Sequence, residues 1–147
     1  MADPLVTFGN KPVARYLLAG WRRQWSNGGR ISSGLPRYII EKLDAQKIGE
    51  MDRAVSELCY PFQLPGTHDT YRPKTSYLDG LPSEPLQREN AFYDAGNGLI
   101  IFLGEEPLQQ IDLYAKAFFQ GIQDLGINLT VAVEGVNGSA PPDLERR

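Results

Sequence analysis

Two glutamates stand where acid–base chemistry could take place. Glu105 follows the apolar run 99–103, and Glu134 ends a second strand-like segment. Both therefore lie at the carboxyl ends of predicted parallel strands, where open α/β sheets bind their ligands. Two carboxylates in such a crevice could act as general acid and general base if their surroundings separated their pKa values. The simpler interpretation is that Glu105 favours a helix N-terminus and Glu134 is solvated, since no nucleophile is placed beside them.

A glycine turn offers a second kind of site. Asn27, Gly28 and Gly29 follow a predicted strand and precede a predicted helix, where backbone N–H groups can approach an anion. The segment lacks the lysine of a P-loop and the three glycines of a dinucleotide fingerprint. Two interpretations follow, an anion-binding turn and a tight turn that only joins two elements, and the second is the simpler.

The sequence contains few residues that could serve nucleophilic catalysis or bind a metal ion. The sequence holds one histidine, His68, and one cysteine, Cys59, so any Ser-His-Asp or Cys-His arrangement must use His68. One histidine and one cysteine cannot supply the usual zinc ligand set within one chain, and Cys59 is most simply a small buried apolar residue. We predict no catalytic residue, no metal site and no cofactor.

Aromatic and arginine side chains indicate a surface for binding other proteins. Tryptophan and arginine are the residue types most enriched at interface hot spots, and tyrosines of the long proline-rich segment add aromatic surface. The candidate interface residues are Trp21, Arg22, Arg23, Trp25, Tyr71 and Tyr77. The alternative is that the tryptophans belong to the core or its edge. The same mixture could stack on single-stranded nucleic acid, but a net charge of −3 argues against that partner.

Composition is that of an ordinary globular domain. The 147 residues, 41% hydrophobic and 22% charged, can bury a core within a single domain. No apolar run approaches the roughly 20 residues that span a bilayer, and residues 1–11 contain no signal-peptide core. A single cysteine excludes an intrachain disulfide and fits a reducing compartment. We therefore expect one cytoplasmic domain, 1–147, without a membrane or nucleic-acid partner.

The elements that position these residues follow from hydrophobic periodicity. Ile31, Leu35, Ile39 and Leu43 recur every fourth residue and predict a helix. Pro36 then belongs in its first turn, or marks a kink. A second apolar stripe predicts a helix that begins at Pro107 and stops before Gly126; its members are Leu108, Ile111, Ala115, Phe118, Ile122 and Leu125. Strands are predicted at 13–20, 47–52, 58–63, 88–95, 99–103 and 128–134.

These elements combine into an α/β fold. Strand, helix and strand over 99–134 predict a βαβ unit, and the wholly apolar run 99–103 is typical of a central strand covered on both sides. The turn 96–98 (Gly-Asn-Gly) predicts a hairpin before it. Five prolines between 61 and 85 disfavour regular structure there. We expect a mostly parallel sheet.

Short motifs along the chain match one family in order. The first group is Gly20-Trp21, Gly28-Gly29 and the segment 33–37 (Ser-Gly-Leu-Pro-Arg). The second is 104–107 (Gly-Glu-Glu-Pro), Tyr114-Ala115 and 125–127 (Leu-Gly-Ile), and the third is the loop 135–142 followed by arginine. Together they resemble the family named for proteasome assembly chaperone two.

The resemblance implies a three-layer α/β/α domain of the phosphorylase/hydrolase-like type, of which this chain is the N-terminal part. It implies a non-enzymatic protein-binding domain that forms homo-oligomers and has proteasome α subunits as candidate partners. The chain departs from the family in ending Glu145-Arg146-Arg147, without the hydrophobic-tyrosine tail of archaeal relatives, and in having Arg22 and Arg23 where acidic residues are commoner. The alternative, by analogy of fold, is a small-molecule-binding or hydrolase/phosphorylase-like enzyme that uses the crevice at the strand ends.

Overall fold

The computed structural model describes residues 4–22, 28–60, 77–82 and 90–136. Its strands are β1 (Val6–Phe8), β2 (Tyr16–Arg22), β3 (Gln46–Met51), β4 (Tyr77–Leu78), β5 (Leu81–Pro82), β6 (Ala91–Asp94), β7 (Leu99–Glu105) and β8 (Leu129–Ala132). Its helices are α1 (Ile31–Lys42), α2 (Arg53–Cys59) and α3 (Ile111–Asp124), and a 3-10 turn, Gly28–Arg30, precedes α1.

Six strands form one mixed sheet in the order β1-β3-β6-β7-β2-β8, and β4 and β5 pair separately. The neighbours β7, β2 and β8 are parallel, whereas β1–β3, β3–β6 and β6–β7 are antiparallel. The α/β class is confirmed, but the prediction of a mostly parallel sheet is wrong. The hairpin at 96–98 is expected to be antiparallel, but β3 also pairs antiparallel with both β1 and β6, and these pairings join segments distant in sequence.

The segment β7–α3–β8 is the predicted βαβ unit, with β2 lying between its two strands. The helix begins later than Pro107, because the backbone N–H groups of Leu108 and Gln109 donate to the carbonyl of Cys59. Ile111, predicted to face the core, is 64% exposed. The buried side of α3 carries Tyr114, Ala117, Phe118 and Gly121.

The regions of α2 and α1 differ from the sequence-based expectation. The strand predicted at 58–63 is wrong where the structure describes it, because Leu58 and Cys59 end α2, and residues 61–63 lie outside the described ranges. Asp52 starts α2 by accepting a hydrogen bond from the Ala54 N–H at 2.8 Å, which is the usual role of an N-cap carboxylate. Pro36 lies inside α1, past its first turn.

Consecutive residues of β2 face opposite sides of the sheet. A Cβ on Gly20 would overlap the Ser32 carbonyl of α1 and come within 2.6 Å of the Pro36 Cγ. The ring of Trp21 lies 5.6 Å from that of Phe118 in α3. Around β2, therefore, α1 and α3 cover opposite faces of the sheet.

Candidate functional site

A pocket of about 290 Å³ opens between α3 and the carboxyl ends of β2 and β8. We call it the α3 pocket. Its aromatic and acidic lining residues are Trp21, Tyr114, Phe118, Phe119, Glu106 and Glu134. Pro107, Ala115 and Ala132 complete the lining. The pocket thus joins an aromatic wall to two carboxylates.

Local structure explains why these side chains converge. The lining residues of α3 lie at positions 114, 115, 118 and 119, which fall on one side of a helix. In β8, Ala132 pairs with Ala19 of β2, two residues before Trp21 and therefore on the same face. Glu134 continues that alternation past the end of the strand.

A buried hydrogen-bond network lies behind the aromatic wall. The Trp21 Nε1–H donates to the Tyr114 hydroxyl at 3.1 Å, which donates to Asn90 Oδ1 at 2.9 Å. The same oxygen accepts from the Glu105 backbone N–H at 3.0 Å. The Tyr60 hydroxyl donates to the Glu105 carbonyl at 2.6 Å and accepts from Asn90 Nδ2 at 3.2 Å. This network ties the Trp21 ring to the end of β7.

Burial shifts the pKa values of two side chains in and near this network. Burial raises the pKa of Tyr114 well above the usual tyrosine value of 10.0, and nearby Tyr60 adds to the increase. Tyr114 therefore stays neutral at ordinary pH and serves as a hydrogen-bond relay. Burial also raises the pKa of the Cys59 thiol, and the side chain is fully enclosed. Cys59 is thus the buried apolar residue expected from the sequence, not an activated nucleophile.

The predicted interface residues fall in three places. Trp21 is half-buried, lines the α3 pocket, and packs against the core as the core-edge alternative expects. Arg22 ends β2, where its carbonyl accepts the Glu106 N–H at 3.1 Å. Tyr77 is 67% exposed on the separate β4–β5 hairpin. Arg23, Trp25 and Tyr71 lie outside the described residues. A shared binding surface for this set stays a prediction.

Of the two predicted crevice carboxylates, Glu134 lines the pocket and Glu105 does not. β7 extends through Glu105, beyond the apolar run 99–103, so Glu105 sits within the sheet and is only 7% exposed. Its neighbour Glu106 takes the place at the pocket wall. A role in chemistry for Glu105 and Glu134 stays a prediction.

The predicted anion-binding turn packs against the chain itself. The Gly28 N–H donates to the Gly135 carbonyl at 2.7 Å, so one of the donors assigned to an anion is engaged. A Cβ on Gly28 would lie 3.0 Å from the backbone of Gly135, and this contact explains the glycine. Gly29 has a φ of 63°, and Asn27 lies outside the described residues. Anion binding at this turn stays a prediction.

Within the described ranges, no group of three or more His, Cys, Asp or Glu side chains could hold a metal ion. His68 falls in the undescribed segment 61–76. In the same described part of the chain, no helix combines the length and apolar character needed to cross a membrane.

Sequence reasoning missed Asn90, Tyr60 and Phe119 as site residues. Phe119 could have been found, because with Ala115 it has the helical i, i+4 spacing. Asn90 offers no such signal, since its partners come from α3 and the end of α2 and meet only in the fold.

Comparison with known proteins places this geometry in a family. The model of the PAC2 family matches residues 24–145. A PAC2 family protein from Streptomyces avermitilis superposes with a TM-score of 0.66 at 16% identity, covering 86% of this chain and 52% of that one. A proteasome-assembly chaperone homologue from Mycobacterium tuberculosis superposes with a TM-score of 0.62 at 17% identity, covering 78% and 47%.

A protein of unknown function from Corynebacterium glutamicum has the same fold, with a TM-score of 0.60, 12% identity and coverage of 86% and 48%. The chain thus spans about half the length of these solved structures. No curated protein matches the chain.

Proposed function

Because the chain belongs to the PAC2 family, we propose that it is a non-enzymatic protein-binding domain that acts in the manner of a proteasome-assembly chaperone. The Mycobacterium tuberculosis neighbour is described as a homologue of such chaperones. On this proposal the partners are proteasome α subunits, and the domain works in the cytoplasm.

The observation that carries the proposal is the α3 pocket. Its aromatic wall runs from the core residue Phe118 through half-buried Trp21 to Phe119, which is 57% exposed. Aromatic side chains in a concave surface are typical anchors for a partner's hot-spot residue. The hydrogen bonds from Trp21 to Tyr114 and from Tyr114 to Asn90 hold the Trp21 ring of this wall in place, and a preformed surface loses less conformational entropy on binding.

The proposal includes self-association through the side of β8 that faces away from the α3 pocket. β8 ends the described sheet and pairs only with β2 there. Leu129 and Val131, which alternate with the pocket-lining Ala132, are 54% and 50% exposed. Apolar side chains on an open sheet edge favour contact with a second strand. Sedimentation at micromolar concentration measures the oligomeric state. We expect Val131→Lys to reduce oligomer formation. A wild-type protein that sediments as a monomer contradicts self-association.

We also propose that the domain has a three-layer architecture. The packing of α1 on Gly20 and of α3 on Trp21 supports a three-layer α/β/α description of the phosphorylase/hydrolase-like type.

A pull-down from the native organism tests the chaperone proposal. The bait is the full-length gene product, and recovered proteins are quantified by mass spectrometry. We expect proteasome α subunits at near-stoichiometric levels with the wild type and with Tyr38→Ala, and a loss of at least tenfold with Phe119→Ala. Tyr38 is 56% exposed on α1 and so matches Phe119 on the opposite side of the sheet. Absence of α subunits with the wild type contradicts the proposal.

A second candidate function is a small-molecule or hydrolase/phosphorylase-like site in the same pocket. The position at the carboxyl ends of β2 and β8, beside Glu106 and Glu134, favours it. A ligand that binds only the folded state raises the melting temperature through linkage. A small molecule that does so in the wild type and not in Trp21→Ala would support this candidate over the first.

A further inference from the structure

We propose that the α3 pocket receives an arginine side chain of the partner protein. The inference rests on the proposed protein-binding function and names the chemistry of the residue that the partner inserts. It follows from the combination of aromatic rings and carboxylates in one small cavity.

The aromatic wall suits a guanidinium group. Phe118 and Phe119 are adjacent on α3, with ring centroids 5.6 Å apart, and Trp21 lies 5.6 Å from Phe118. A planar guanidinium stacks on such rings, and its attraction to their faces is strongest for tryptophan. The apolar methylene stem of the same side chain can pack against Pro107 and Ala115.

Charge complementarity selects arginine over an apolar anchor. Glu106, from the segment after β7, and Glu134, from the end of β8, both line the cavity, and none of the described lining residues is basic. Each glutamate already has an interaction within the chain. A carboxylate has about four lone-pair sites, so it can accept a second partner, and hydrogen bonds from arginine to carboxylate are among the strongest in proteins.

The size of the pocket is compatible with one long side chain. Its volume of about 290 Å³ lies at the lower end of the roughly 300–1,000 Å³ found for sites of drug-sized ligands.

A peptide series tests the assignment on the intact chain. The probes are acetylated alanine pentapeptides whose central residue is arginine, its neutral isostere citrulline, or norleucine, with spermidine as a free cation. Binding is followed by NMR at the Trp21 indole N–H, assigned with Trp25→Phe. We expect the arginine peptide to bind at least tenfold more tightly than the citrulline and norleucine peptides and than spermidine.

Charge-removing variants complete the test. Glu134→Gln and Glu106→Gln are expected each to weaken the arginine peptide about fivefold to tenfold and to leave the citrulline peptide unchanged. The control Glu41→Gln, exposed on α1, is expected to change neither. Unchanged arginine binding in both pocket variants overturns the proposal.

Other outcomes separate this inference from the proposed function. Equal or tighter binding of norleucine shows an apolar anchor, and tighter binding of spermidine shows a small-molecule site; either result overturns the arginine assignment. If no peptide moves the Trp21 signal while the pull-down recovers proteasome α subunits, the arginine assignment fails and the chaperone proposal stands. If α subunits are also absent, both fail.

Discussion

The two faces of β2 differ in how closely a helix packs on them. At Gly20 the strand backbone touches α1 so closely that no side chain fits between them. One residue later, on the other face, Trp21 packs against Phe118 of α3 and lines a cavity of about 290 Å³ at the strand ends. A single pair of consecutive residues thus gives a sealed face and an open one.

The difference shows how a fold can separate stability from recognition. The sealed face relies on contact between backbone atoms, which tolerates no added volume. The open face relies on aromatic rings and a polar network that fix a concave surface. Substitutions on the first face are expected to change the free energy of unfolding, and substitutions at the pocket rim to change binding.

The largest expected effect is on the sealed face. Gly20→Val places a branched side chain against the Ser32 carbonyl and Pro36, and we expect the free energy of unfolding to fall by roughly 3 kcal/mol or more. Gly34→Ala is the control, because a Cβ there meets nothing within 4 Å. Alanine in a helix is expected to stabilise by about 0.5–1 kcal/mol. Urea denaturation measures both, and a Gly20→Val protein of wild-type stability would refute the close packing.

Asn90→Ala is expected to have the next largest effect, because it affects the network behind the open face. It removes the acceptor for the Tyr114 hydroxyl and the Glu105 N–H. Buried donors left without partners cost about 1–3 kcal/mol each, so we expect a loss of roughly 2–4 kcal/mol in urea denaturation. Asn10→Ala, at an exposed position after β1, serves as a comparison away from the network. A loss below about 1 kcal/mol would show that the network contributes little.

Tyr114→Phe is expected to cost about 1 kcal/mol at neutral pH and to change the pH dependence above pH 10. Burial raises the pKa of Tyr114 in the folded state above its unfolded value of 10.0. As pH rises past about 10, the unfolded chain loses this proton before the folded one, so stability falls. Denaturation at pH 9 and pH 11 should show a smaller fall for Tyr114→Phe than for the wild type. An equal fall would exclude Tyr114 as its source.

The smallest effect on stability is expected at the pocket rim. Phe119 is 57% exposed, so Phe119→Ala removes little buried surface and is expected to lower the free energy of unfolding by less than about 1 kcal/mol. Binding of the partner should nonetheless weaken at least tenfold, whereas Tyr38→Ala should leave it within twofold. Titration calorimetry with purified α subunit measures both affinities. Equal losses in the two variants would remove the distinction between the faces.

Local signals in the sequence account for much of the fold. The apolar run 99–103 and the turn 96–98 locate β7 and its hairpin, and the β7–α3–β8 unit follows from strand and helix periods. The predicted direction of the strands was wrong, because the pairing of β3 with β1 and β6 depends on contacts between distant segments. The predicted first residue of α3 was also wrong, because the Cys59 carbonyl accepts hydrogen bonds from Leu108 and Gln109 and keeps them outside the helix.

The candidate site was predictable in part for the same reason. Trp21 and Glu134 could be singled out from residue type and position at the strand ends. Asn90 could not, because it lies 30 residues from Tyr60 and 24 from Tyr114, and only the fold brings the three together. Residue spacing within one helix or strand indicates which side chains line a pocket. A polar network whose members come from several elements has no such spacing and cannot be recognised in the sequence.

Site-specific photo-crosslinking tests the central claim most directly, that the α3 pocket is the surface that grips a partner. A benzophenone amino acid replaces Phe119 in one full-length protein and Tyr38 in another, and each is irradiated with purified proteasome α subunit. We expect a crosslinked adduct from position 119 and none above background from position 38. An adduct from position 38 alone, or none from 119 while the two proteins still co-purify, would contradict it.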